Sequence, residues 1–269
     1  MKRKSENWMK RSGRSNAGIV SAMRNFKIVI QYEGTRYQGW QRQDSTGNTI
    51  QGKFEAILAK MTGLDFVQVD GSGRTDAGVH ALGQVANFKI DTDMSAVEVM
   101  DYINQYLPED IGVISIKEMP ERFHSRLNAK GKTYRYRIWN SKLPCVFERR
   151  YVYELSQQLE LDAMKAAACY FVGTHDFRAF TSNKKGKKST VRTIDAVHLE
   201  KTGNEVVITY SGDGFLYHMV RILTGTLIEV GLGQRAPESM PELFQANAAR
   251  DLSGTLAPAK GLCLVEVRY

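Results

Sequence analysis

One stretch, residues 133–139, constrains the fold of this chain more than any other. Tyr134 and Tyr136 alternate with Arg135 and Arg137, so an extended strand here has one apolar face and one charged face. Such a strand buries only one side. It therefore needs neighbouring strands and a core that covers its apolar face.

The same periodicities, read along the rest of the chain, predict further strands and helices. Alternation predicts a strand that starts at Phe26 and others at 66–70, 84–90, 113–117, 193–199, 205–210 and 262–267. Helical spacing predicts helices at 51–61, 161–171, 216–230 and 240–249, and a Ser95/Glu98 capping box begins one more that runs to residue 106.

Strands outnumber helices in this pattern and hairpins recur, which favours the α+β class. We expect two related lobes that share a mostly antiparallel central sheet flanked by helices, with a cleft between the lobes. The N-terminal lobe is predicted at 25–126 and the C-terminal lobe at 127–269. Residues 1–24 are predicted to form a disordered basic tail.

Charge and hydropathy exclude some classes of protein. The formal net charge is +8, but residues 1–24 carry seven Lys or Arg against Glu6 alone, so the rest of the chain is only weakly basic. No apolar run reaches the roughly 18 residues that a membrane span needs. The first residues are basic without an apolar run behind them, so we expect a cytoplasmic protein.

No metal, disulfide framework or cofactor is predicted. Cys145, Cys169 and Cys263 lie far apart and show no C-x-x-C spacing, and the five histidines show no paired ligand spacing. Cys169 and Cys263 have apolar neighbours and are interpreted as core residues.

Two local basic clusters indicate a polyanionic partner. One contains Arg126 and Lys132, and the other contains Lys184 and Lys185. The first is interleaved with aromatic residues, namely Phe123, Tyr134, Tyr136 and Trp139. Cations that neutralise phosphates and rings that stack on bases are the groups used to bind unpaired RNA. A solvated strand face is the alternative interpretation of either cluster.

The segment 70–80 is the most informative in the chain. Glycines at 71, 73 and 78 permit unusual backbone angles, and the loop holds Arg74 and Asp76 two residues apart. This composition suits a site that contacts an anion, although a tight connection between strands would look similar. No G-K-[ST] follows, so the loop is not a P-loop.

Seven segments in order, which span residues 32–267, resemble the TruA family of tRNA pseudouridine synthases. They are GSGRTDAGVHA at 71–81, YEGTRYQGWQRQ at 32–43, FHSR at 123–126, GKTYRYRI at 131–138, DFRAF at 176–180, GFLYHMVRILTG at 214–225 and KGLCLVEV at 260–267. Ser125 stands where the family commonly has Ala.

The resemblance implies a cofactor-free homodimer that converts uridine to pseudouridine at positions 38, 39 and 40 of the tRNA anticodon stem-loop. Its motifs imply that Asp76 is the catalytic aspartate of the loop 71–81 and that Tyr134 stacks on the flipped uridine. They imply that Arg221 pairs with the aspartate and that Arg74 enters the space left by the extruded nucleotide. Leu216 is expected to line the uracil pocket.

Several alternatives stay open at this stage. Asp76 could add to the uracil ring, capture the ribose or remove a ribose proton. Tyr134 could serve only core packing, and Arg221 could extend to the surface. A glycosidic-bond hydrolase that uses Asp76 with Asp70 and an RNA-binding module without activity are the two other functions considered.

Overall fold

The computed structural model describes residues 23–183 and 189–269. Its strands are β1 (Arg24–Tyr32), β2 (Val69–Gly71), β3 (His80–Ile90), β4 (Ile111–Met119), β5 (Gly131–Asn140), β6 (Tyr153–Leu155), β7 (Gly173–Asp176), β8 (Val191–Thr202), β9 (Glu205–Gly212) and β10 (Leu262–Arg268). Its α-helices are α1 (Ile50–Thr62), α2 (Ala96–Tyr106), α3 (Leu161–Cys169) and α4 (Met219–Gly231).

The ten strands form one sheet with the order β4-β1-β3-β10-β5-β9-β8-β7, to which β2 adds beside β3 and β6 beside β5. Only the pairs β10/β3 and β5/β6 are parallel. The α+β class and the mostly antiparallel central sheet are therefore confirmed. None of the helices in the described part of the chain is long and apolar enough to cross a membrane.

Strand β10 joins the two halves of the sheet. It pairs with β3 of the first half in parallel, with Leu264 opposite Ala81, and with β5 of the second half antiparallel, with Leu264 opposite Tyr134. Strand β10 therefore holds the β3 half and the β5 half of the sheet next to each other.

The alternating side chains of β5 bury one face of the strand and leave the other at least partly exposed, as predicted. Tyr136 and Ile138 are fully buried and Tyr134 is 7% exposed, whereas Arg135 is exposed. The predicted capping box is also present, because Ser95 accepts from the Glu98 backbone and the Glu98 carboxylate accepts from the Ser95 backbone.

Three predicted elements differ from the structure. The strand predicted at 66–70 begins only at Val69, and Phe66 is exposed. The helix predicted at 240–249 is a 3₁₀ segment, Pro237–Phe244, because Pro241 lacks the N–H that an α-helix requires. Helix α4 begins at Met219 instead of Leu216, since residue 218 has a left-handed backbone.

Two short strands and one cysteine also differ from the prediction. Strands β6 and β7, of three and four residues, were not predicted. Cys169 is exposed at the end of α3, so its assignment to the core was wrong, while Cys263 is half-buried and Cys145 is buried.

Candidate active site

A cleft of about 580 Å³ opens where the β2–β3 loop, the start of β5 and the segment before α4 meet. Seven of the predicted site residues line it: Arg74, Asp76, Arg126, Lys132, Tyr134, Leu216 and Arg221. The predicted RNA-binding residues Lys184 and Lys185 lie outside the described residues.

Asp76 and Arg221 form an ion pair at this cleft. The Nη1 atom of Arg221 lies 3.1 Å from Oδ2 of Asp76, and both side chains are less than one-fifth exposed. The Nε atom of Arg221 donates to the carbonyl of Ala257 at 2.7 Å. The guanidinium is thus held on two sides inside the protein and does not extend to the surface.

The loop that carries Asp76 is fixed by hydrogen bonds on both sides. The backbone N–H of Trp40 donates to the Thr75 carbonyl at 3.0 Å, and the Thr75 hydroxyl lies 2.8 Å from the hydroxyl of Tyr32. Gly78 has a φ of 78°, which glycine adopts without the steric cost of a side chain. The carboxylate is therefore carried on a preformed turn.

Trp40 also explains why residue 71 is glycine. A Cβ atom at position 71 would lie 2.4 Å from the Nε1 atom of the Trp40 indole. The indole is 2% exposed and has no free space to move into. A larger residue at position 71 would therefore have to displace the indole or the start of the loop.

Tyr134 lies at the boundary between core and cleft. Its ring packs edge-on against Phe215 with centroids 5.2 Å apart, as an aromatic core residue does. It also lines the cleft with Asp76. Burial raises the pKa of Tyr134, and the nearby charge of Asp76 acts in the same direction, so its side chain stays a neutral phenol at pH 7.

Three cations lie along another part of the cleft wall. The half-buried Lys132 donates through Nζ to the Ser72 carbonyl at 2.9 Å. Burial, together with the charges of Arg126 and Arg192, lowers the pKa of Lys132 to about 8. These cations repel one another, so an anion that enters between them is favoured.

Arg74 stands at the outer end of the same loop. It is exposed, and its Nε atom donates to the side chain of Gln41 at 3.0 Å. Its guanidinium can therefore leave this contact at little cost when a ligand enters.

Asp70, the second carboxylate considered for a hydrolase, is not among the residues that line the cleft within the described part of the chain. Its side chain accepts from Gln68, and its backbone carbonyl accepts from the hydroxyl of Ser125. Ser125 is fully buried and satisfies its own hydroxyl, so a serine at this position costs the fold no unpaired polar group.

Sequence reasoning missed His218. Its Nε2 atom lies 3.6 Å from Oδ2 of Asp76, and its Nδ1 atom lies 2.9 Å from the hydroxyl of Ser182. No local pattern marks it, because its left-handed backbone places it before α4 and outside the helical spacing that relates residues on one face.

The described residues contain no group of three side chains that could hold a metal ion. What the cleft offers instead is the Asp76 carboxylate bound to a guanidinium, with cations and aromatic rings nearby and the exposed Asp213 as a second carboxylate on its wall. A cleft of this composition suits a ligand that carries phosphates and bases, as a nucleic acid does.

Comparison with known proteins defines the family. The model of a tRNA pseudouridine synthase family matches residues 28–128 and 167–269. A protein of Bacillus sp. (strain KSM-64) called tRNA pseudouridine synthase A is 47% identical over 92% of this chain and 100% of its own length. Two further relatives, "tRNA pseudouridine synthase A 2" of Bacillus anthracis and "tRNA pseudouridine synthase A 1" of Clostridium tetani, are 45% and 46% identical over the same shares.

Among solved structures, a chain of a Cbf5-Nop10-Gar1 complex aligns with a TM-score of 0.35 and 13% identity, over 76% of this chain and 45% of that one. The family rests on the sequence matches, which cover most of both chains. This chain belongs to the tRNA pseudouridine synthase family, and as a member of it is an isomerase.

Proposed function

We propose that this protein converts uridine to pseudouridine at positions 38, 39 and 40 of the tRNA anticodon stem-loop, with Asp76 as the catalytic residue. One observation carries the proposal. The carboxylate of Asp76 is bound by Arg221 at a cleft whose walls also supply Tyr134, Leu216 and a row of cations.

The reaction requires few chemical groups from the protein. The N1–C1′ bond of uridine breaks, the detached uracil turns, and a C5–C1′ bond forms; the C5 proton leaves and N1 gains one. Nothing is added and nothing is oxidised, so one carboxylate and a shaped cleft are sufficient. The Arg221 guanidinium stabilises the negative charge of Asp76 in a site that the substrate closes off from water.

A uridine within a stem-loop has to leave its stack to reach Asp76, which costs a few kcal/mol. Arg74 is placed at the outer end of the loop and is free to enter the vacated space. Tyr134 and Leu216 line the cleft and supply the apolar surfaces between which the uracil is held. Arg126 and Lys132 bind phosphates on the same wall, and we propose Lys184 and Lys185 for the same role.

We retain the two predicted lobes, 25–126 and 127–269, as the units that form the cleft. Asp76 comes from the first and Arg221 from the second. The proposed tRNA substrate implies a cytoplasmic protein. A homodimer is supported by a run of exposed apolar side chains after β5, where Leu143, Val146 and Phe147 are 69%, 58% and 92% exposed.

Product analysis tests the proposed function. Purified protein is incubated with unmodified tRNA transcript that carries ¹⁴C-labelled uridine, and the nucleosides are then separated. Labelled pseudouridine at the three positions supports the proposal. Free labelled uracil would instead identify a hydrolase, and unchanged uridine with tight tRNA binding would identify a binding module.

A further inference from the structure

His218, the residue before α4, has a left-handed backbone conformation that does not by itself require a histidine. Its φ of 65° makes it the only non-glycine residue with positive φ among the described residues. It precedes α4 but caps the helix with no side-chain hydrogen bond. Gly or Asn adopts this conformation more easily, and Asn could also cap the helix. The backbone alone therefore does not explain a histidine here.

The imidazole of His218 is held in place on two sides. Its Nδ1 atom lies 2.9 Å from the Ser182 hydroxyl, and its ring stacks on Tyr217 with centroids 3.7 Å apart. These contacts fix the ring so that the opposite nitrogen, Nε2, faces Oδ2 of Asp76 at 3.6 Å.

The carboxylate selects the tautomer of the ring. A lone pair on Nε2 would face the negative oxygen and be repelled, so Nε2 carries the proton and Nδ1 accepts from the Ser182 hydroxyl. Burial lowers the pKa of His218; Asp76 opposes this shift, while the charges of Arg221 and Arg250 add to it. The group that faces Asp76 at pH 7 is therefore a neutral N–H donor.

Arg221 and His218 both approach the same oxygen of Asp76. The Oδ2 atom has Arg221 at 3.1 Å and His218 at 3.6 Å, whereas Oδ1 accepts no hydrogen bond from the described residues. A separation of 3.6 Å is too long for a hydrogen bond, but such contacts in active sites commonly shorten when substrate binds. Two donors on Oδ2 fix the rotamer of the carboxylate and leave Oδ1 for the reacting atom.

We propose that His218 is a positioning residue for Asp76, whose Nε2–H holds Oδ2 so that Oδ1 faces the substrate nucleotide. This inference rests on the proposed function, because it assumes that Asp76 acts on a nucleotide in the cleft. It adds a role for a side chain that acts through Asp76 and makes no bond to the substrate.

Three substitutions distinguish the effect of the imidazole from the effect of the left-handed backbone at position 218. His218→Asn keeps a polar atom near Ser182 and tolerates positive φ, but it is too short to reach Asp76. His218→Gly tolerates the backbone and removes the whole side chain. His218→Ala removes the ring and retains the backbone strain. The measurements are the single-turnover rate of pseudouridine formation at saturating tRNA, the Kd for tRNA and the midpoint of urea unfolding.

We expect all three variants to react about tenfold more slowly than the wild type or worse, with Kd values within twofold of the wild type. The Asn and Gly variants should unfold at a urea concentration no lower than the wild type, because their backbones are unstrained. Wild-type rates for Asn and Gly with a slow Ala variant would show that only the backbone matters and would overturn the inference.

Two other outcomes also count against it. A Kd that rises by the same factor as the rate falls would make His218 a tRNA-binding residue. A wild-type protein that forms no pseudouridine would refute the proposed function itself, before any variant is compared.

Discussion

The Nη1 atom of Arg221, in the first turn of α4, donates to Oδ2 of Asp76 across 3.1 Å and so ties the β2–β3 loop to a helix that lies 145 residues further along the chain. Each side chain is shielded from water, so each depends on the other for compensation of its charge. The pair therefore serves the fold and the proposed chemistry together.

Removal of the Arg221 guanidinium tests what the pair contributes to the stability of the fold. Arg221→Met leaves the Asp76 charge unpaired and should lower the free energy of unfolding by about 3 kcal/mol. Asp76→Asn in the same chain removes that charge, so the double variant should be more stable than the sum of the two single changes by about 1 kcal/mol or more. Urea unfolding of the four proteins measures this coupling. If the effects of the two single changes are additive in the double variant, the Asp76–Arg221 interaction contributes nothing to the free energy of unfolding.

Lys132, which we propose binds a phosphate, should make tRNA binding sensitive to pH. Its pKa of about 8 means that it loses its charge as the pH rises from 7 to 9, well below the usual range of a lysine. The Kd for tRNA should therefore increase over this interval, and the dependence of log Kd on log salt should become shallower by about one unit. Filter binding at several salt concentrations measures both quantities.

Lys132→Arg is the matched control for that effect, because a guanidinium stays charged at pH 9. This variant should bind tRNA with little change between pH 7 and 9. An equal pH dependence in the Arg variant and the wild type would assign the effect to another group.

Replacement of Tyr134 by phenylalanine distinguishes a packing role of the ring from a chemical role of its hydroxyl. It makes no hydrogen bond within the described residues, so Tyr134→Phe should change the free energy of unfolding by less than about 1 kcal/mol. If the phenol assists proton transfer, the single-turnover rate should fall by about 10²-fold while the Kd for tRNA is unchanged. A Phe variant as fast as the wild type would leave Tyr134 with core packing and base stacking alone.

His80 should make the fold sensitive to acid. Burial lowers its pKa, although Glu33 opposes the shift, and its Nδ1 atom accepts the Gly34 N–H at 3.0 Å. The unfolded chain binds a proton near pH 6.5 that the folded protein takes up only at lower pH. The stabilisation is therefore complete above pH 6.5 and is lost as the pH falls through the folded pKa.

Urea unfolding at pH 7.5 and 5.5 tests this sign. The wild type should lose more stability on acidification than His80→Asn, which keeps an acceptor for the Gly34 N–H and does not titrate. A wild-type protein that is more stable at pH 5.5 would contradict the assignment.

Much of this architecture could be predicted from sequence because it depends on local periodicity. The alternation around Tyr136 requires a half-buried strand, and the Ser95/Glu98 pair marks a helix start wherever the helix packs. The glycines around Asp76 likewise indicate a loop whose backbone makes close approaches. These features are visible in a few consecutive residues.

What escaped prediction depends on contacts between distant residues. Strands β6 and β7 are too short to show a period and exist because they pair with β5 and β8. The role of His218 requires the left-handed turn before α4 and the approach of Ser182 from a separate segment. Neither the turn nor the approach leaves a pattern in the sequence around position 218.

Asp76→Asn tests the central claim most directly, because it keeps the size of the side chain and removes the charge. Wild-type protein and the variant are given the same tRNA transcript, and pseudouridine at positions 38, 39 and 40 is measured together with the Kd for tRNA. We predict that the wild type forms pseudouridine and that the Asn variant forms none, while the two Kd values agree within about threefold. Pseudouridine formation by the Asn variant at the wild-type rate would contradict the account.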